Sequence, residues 1–135
     1  MAAASALASR DLHARADKQL ETMYRTVGSL KDIGFHKLSV QLLRQAYAYK
    51  WKPAICDLAT TALTAEEILA EDDLDTAEAI KDQLDRRNAF LVILHSTDGD
   101  PTEALLEAMP PGNPRLAFST LHSYFHPDTT VVPRS

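Results

Sequence analysis

At 135 residues the chain fits one domain, which at this size buries roughly two thirds of its unfolded surface and needs no disulfide or metal staple. Hydrophobic residues at 45% and charged residues at 24% exclude a disordered or fibrous chain. The longest apolar run, AFLVIL from Ala89 to Leu94, is far short of the ~18 residues that cross a bilayer. The net charge of −5 is unevenly placed: residues 1–52 carry nine Lys/Arg against four Asp/Glu, residues 53–135 five against fifteen.

Such polarity suits head-to-tail self-association, because complementary patches steer encounter and set orientation. The same charges also suit ordinary solvated helix faces.

The opening MAAASALAS has neither the basic leader nor the long apolar core of a secretory signal, and residues 1–9 are expected to form a disordered arm or a ragged helix start. Apolar residues then recur at period 3.6 almost throughout, with no convincing alternation, so the chain reads as all-helical. A first helix is predicted from about Asp11 to Leu30, with Leu12, Ala16, Leu20, Met23, Val27 and Leu30 on one stripe. Gly28 and Gly34 loosen the chain after it. A second helix, about His36 to Tyr49, carries Leu38, Val40, Leu42, Leu43, Ala46 and Tyr47, a face broad enough to be packed on two sides.

Lys52 precedes Pro53 and is pushed away from helical geometry, which predicts a break near Trp51 and a third helix starting at Pro53, burying Ile55, Leu58, Ala59 and Ala62. Thr64 and Glu67 have the spacing of a capping box, as do Asp75 and Glu78. The helix after Asp75 runs to about His95, with Ile80, Leu84, Leu91 and Leu94 on its inward stripe. Asp100, Pro101 and Glu103 predict the cap of a helix of barely two turns, TEALLEAM, ended by Pro110, Pro111 and Gly112. Asn113 and Pro114 start the last helix, which buries Leu116 or Ala117, Phe118, Leu121 and Phe125 and stops at Pro127. Residues 127–135 read as a tail or a truncated linker.

Reactive constellations are absent from this pattern. Cys56 is the single cysteine, flanked by Ile55 and Leu58 as a small core hydrophobe, and it forms neither a disulfide nor a multi-cysteine zinc site. A reducing, cytoplasmic setting follows. His122 and His126 share the i, i+4 spacing of a zinc pair, but Ser123 stands where the metalloprotease glutamate would be and Pro127 ends the helix. The acidic EDDLD segment lacks the glycine and alternating ligands of a calcium loop, and the four glycines are too scattered for a phosphate loop. Tyr47, Tyr49 and Trp51, interleaved with Lys50 and Lys52, give a weak nucleic-acid stacking signal, against which stands a pI of 5.4. The expectation is no catalysis, no metal, no cofactor, no membrane and no small-molecule substrate.

Taken together, YAYKWKPAICDLATTAL, DQLDRRNAFLVILHST, DPTEALLEAM and NPRLAFSTLHSYF form a pattern that resembles the Gag proteins of copia-type LTR retrotransposons. Tyr49 and Trp51 near a helix start, Ile55 after them, Asp85, Ala89, Ile93 and Leu94, then Ala117, Leu121, Tyr124 and Phe125 carry the likeness. Phe118 stands nearest a position where that family usually has tryptophan. The resemblance spans roughly residues 38–125.

It implies a capsid-like N-terminal domain of a retrotransposon or a domesticated derivative, assembling with copies of itself into oligomeric shells. It also implies that RNA is met only through regions outside this chain.

The expected architecture is therefore one all-α bundle of about six or seven helices over residues 10–126, with short proline-capped helices near its C-terminus. Its expected core is Trp51, Ile55, Leu58, Ile80, Leu84, Leu91, Leu94, Leu105, Phe118, Leu121 and Phe125. Candidate assembly contacts are Arg10, Arg15, Lys18 and Arg25 on the basic side and Glu66, Glu67, Glu71, Asp72 and Asp73 on the acidic side. The alternative expectation is a monomeric helical adaptor that binds a partner protein's helix in a groove.

Overall fold

A computed structural model describes residues 2–52, 64–73, 76–109 and 113–126, without the side chains of residues 2–8, 65, 71 and 72. Six helices and no strand occur among the described residues, so the molecule is an all-α bundle. They are α1 (Ala2–Thr26), α2 (Leu30–Ala48), α3 (Ala65–Asp72), α4 (Ala77–Ser96), α5 (Glu103–Glu107) and α6 (Pro114–Phe125). Helix α4 is the centre: α1 packs along it most extensively, α6 next, and α3 and α5 also lean on it, while α2 reaches α6.

Helix α1 begins at Ala2, well before the predicted Asp11, because the alanine-rich opening has the highest intrinsic helix propensity of any composition. It ends at Thr26, and a short turn at residues 27–29 reverses the chain. The Gly28 N–H donates to Gln41 Oε1 at 2.8 Å, which ties that turn to the middle of α2. Within α2 one residue breaks helical geometry: Gly34, at φ 82° and ψ 164°, a conformation reserved for glycine.

Helix α2 closes in a Schellman motif. Trp51 N–H bonds the Ala46 carbonyl at 2.9 Å and Lys50 N–H the Tyr47 carbonyl at 3.3 Å, with Lys50 left-handed at φ 57°. Trp51 and Ala46 both meet the core, supplying the apolar contact that accompanies the motif.

Two predicted caps appear as read. Thr64 N–H donates to Glu67 Oε2 at 2.8 Å and Glu67 N–H to Thr64 Oγ1 at 3.1 Å, a complete capping box. Asn113 Oδ1 accepts from Leu116 N–H at 3.2 Å with Pro114 in the first turn. Two others shift. Thr76 caps α4 by accepting from Ala79 N–H, and the predicted Asp75 beside it lies outside the described residues. Asp100 Oδ1 instead accepts from Thr102 N–H and Oγ1–H, a local turn that delays α5 to Glu103.

Met23, Leu38, Leu42, Ile93, Leu106 and Leu121 are fully buried at the centre, with Phe35, Trp51, Phe90 and Phe118 around them. Of the expected core, Trp51, Leu84, Phe118 and Leu121 are buried. Ile80, Leu91 and Leu94 are half-buried, because the face of α4 that points inward runs through Ala89, Phe90, Val92 and Ile93 instead. Leu105 is 45% exposed, since α5 is little more than one turn and buries only Leu106. Phe125 is 37% exposed yet stacks on Phe35 at 5.6 Å, covering the end of the core from outside. Leu116, the alternative to Ala117 on the last helix, also faces out. Ile55, Leu58, Ala59, Ala62, the proposed Pro53 helix, Cys56, the Pro110–Gly112 stop and the tail at 127–135 lie outside the described residues.

Candidate functional site

Helix α4 carries a run of buried polar residues, Asp82, Asp85, Arg86 and Asn88, on faces that the sequence pattern did not single out. Asp82 and Asn88 meet partners from other parts of the fold, and Asp85 meets one on its own helix. Asp82 Oδ2 pairs with Lys52 Nζ at 2.5 Å. Asp85 pairs with Lys81 at 2.5 Å, and the same ammonium donates to the carbonyls of Tyr49 and Lys50 at 3.3 Å each. A cation at the end of α2 satisfies carbonyls that the helix leaves free. Arg87 reaches Asp17 at 2.9 Å and the side-chain oxygen of Asn88. These contacts fasten α1 and the exit of α2 to α4.

Beside Asp85 a cleft of about 140 Å3 opens between α1 and α4, lined by Leu12, Arg15, Ala16, Gln19, Lys81, Leu84 and Asp85. Burial pushes the Asp85 carboxyl up to about 6, outweighing the Lys81 hydrogen bond and charge that pull it down, and neighbouring Asp82 adds to the rise. A carboxyl in that range suits proton transfer only if it can reach a substrate. Asp85 is nearly inaccessible and held by Lys81, Arg15 is paired to Asp11 at 3.1 Å, and no Ser, Thr, Cys or His lines the cleft. Its described contacts are those of a fastening.

Three of the five histidines lie in two aromatic settings. His95 lies against Tyr24, ring centroids 4.5 Å apart, and burial raises the tyrosine hydroxyl against the opposing pull of Arg87. His122 and His126 are 4.9 Å apart, as their spacing predicted, and both rings edge onto Phe35. Among the described residues no group of three or more metal-ligating side chains comes together, and no helix is long and apolar enough to cross a membrane.

The outer surface holds the remaining features. Arg10, Arg15, Lys18 and Arg25 are exposed along α1, and Glu66, Glu67 and Asp73 along α3 and its end. Glu67 is engaged in the capping box, and Glu71 and Asp72 have side chains outside the described set. The structure thus separates the two candidate contact groups onto different helices.

It also reveals apolar groups beside opposite charges. On α2, Tyr47 is 90% and Leu43 43% exposed, one turn apart, next to exposed Arg44. On α3, Leu69 is 66% exposed, between Glu66 and Asp73. The sequence pattern placed Leu43 and Tyr47 on a second packed side of α2, but the buried side carries Phe35, Leu38 and Leu42, and no described element covers the other.

No protein-family model, curated protein or solved structure matches the chain.

Proposed function

We propose that this chain is a structural, self-associating helical domain of Gag capsid type, working through protein–protein contacts rather than catalysis. The observation that carries the reading is the Leu43–Tyr47 stripe on α2. Tyrosine combines a large apolar ring with a hydroxyl, which is why interfaces are rich in it, and here it projects from a rigid helix with 90% exposure. Further support comes from the charge pattern, basic on α1 and α2 and acidic on α3, which favours oriented association.

Sedimentation of the purified chain across concentration and salt tests it. Mass that grows with protein concentration, and particles by electron microscopy, are the expected outcome. A strict monomer under all conditions overturns the proposal and leaves the adaptor alternative, in which the same stripe receives a partner's helix.

A further inference from the structure

The two apolar faces differ in the sign of their surroundings. Tyr47 and Leu43 are accompanied by Arg44, which sits three residues before the tyrosine and so shares its side of the helix. Leu69 has Glu66 three residues before it and Asp73 four residues after, both on its own side and both exposed. Neighbouring Ile68 is buried, so α3 is anchored inward through Ile68 while Leu69 is left outward.

A two-fold contact of either face with its own copy opposes like charges: arginine against arginine on α2, carboxylates against carboxylates on α3. Contact between the unlike faces instead covers three apolar side chains and opposes arginine with two carboxylates. Interfaces select partners and register by this kind of complementarity. Resting on the self-association reading above, we infer that the α2 face of one copy docks onto the α3 face of the next, a head-to-tail contact in which Tyr47 and Leu43 meet Leu69, and Arg44 meets Glu66 and Asp73.

A contact of this type joins two different surfaces, so each can be removed separately. Sedimentation velocity on the full chain, with circular dichroism melts as a folding control, provides the test. Tyr47→Ser and Leu69→Ser are each expected to lower the association constant about tenfold or more, since a desolvated aromatic or aliphatic anchor dominates such contacts.

Mixing the two variants is the decisive arm: one retains an intact α3 face, the other an intact α2 face, so the mixture is expected to form dimers and stop there. Arg44→Glu is expected to weaken association about tenfold, and adding Glu66→Lys and Asp73→Lys to it to restore most of the loss. These charge variants also serve if a serine variant folds poorly.

Association of the wild-type chain that none of the changes affects overturns this pairing and leaves self-association standing. So does a Leu69→Ser chain that associates fully through Tyr47 alone. A wild-type chain that is monomeric at every concentration and salt overturns both.

Discussion

The side-chain amide of Asn88 donates a 2.9 Å hydrogen bond to the backbone carbonyl of Ala16, joining residues 72 apart in sequence at a point where Asn88 has no exposure. Its oxygen accepts from Arg87, so both ends of the amide are satisfied between α1 and α4. Replacing Asn88 by leucine removes the donor and leaves the Arg87 contact unfilled. The expected cost is about 1–3 kcal/mol, the range for losing a buried hydrogen bond and stranding its partner. Urea unfolding followed by circular dichroism measures it; an unchanged midpoint would show that the amide contributes nothing net.

Asp85 gives a pH dependence whose sign follows from its raised carboxyl. Its usual value is 3.8 and its folded value about 6, so between those limits the native state holds more protons than the unfolded chain. The stability contributed by Asp85 therefore falls as pH rises through that window and is level above it. The groups facing it are Lys81 and Asp82 on α4 and, across the cleft, Arg15 and Gln19 on α1. Urea unfolding of wild type and Asp85→Asn at pH 4, 5, 6 and 7 isolates the effect. The difference is expected to move in favour of the variant as pH rises, and a difference constant with pH contradicts the assignment.

Gly34 adopts φ 82° and ψ 164° with open space where a Cβ would stand, so substitution there strains the backbone without crowding a neighbour. Gly34→Ala is expected to cost about 1–3 kcal/mol. A D-alanine introduced by semisynthesis has mirror-image preferences and is expected to be tolerated. Equal thermal stability of the L- and D-alanine chains would contradict this.

Lys50 is the opposite case, a non-glycine residue at the left-handed position of a Schellman motif. Glycine removes the steric penalty of roughly 1–2 kcal/mol but adds freedom to the unfolded chain. Lys50→Gly is therefore expected to raise stability by about 0.5–1 kcal/mol. A lower melting temperature would mean that the lysine side chain contributes more than its backbone costs.

The parts of this fold that were legible from sequence are the local ones. Thr64 with Glu67 and Asn113 with Pro114 act within three residues of each other, so spacing alone defines them. Asp75 and Thr76 are both good caps in adjacent positions, and only the helix register selects Thr76. The polar side of α4 is not legible in this way, for a physical reason. Asp82 and Asn88 are buried on it with Lys52 and Ala16 arriving from elsewhere to satisfy them, and periodicity records hydrophobicity, not distant partners.

The candidate site divides along the same line. Charge separation between the basic and acidic segments stands in the sequence. That Leu43, Tyr47 and Leu69 face outward does not, because an apolar residue on a helix looks the same in sequence whether or not another element covers it.

Gly34 has a genetic consequence. Every non-synonymous single-base change in a glycine codon that still encodes an amino acid yields a residue with a Cβ, and all of these would meet the backbone geometry found here. Drift at this codon has no silent exit except synonymous change. Gly34 is solvent-exposed, so the position is constrained by its backbone geometry where Leu38, four residues on, is constrained by burial.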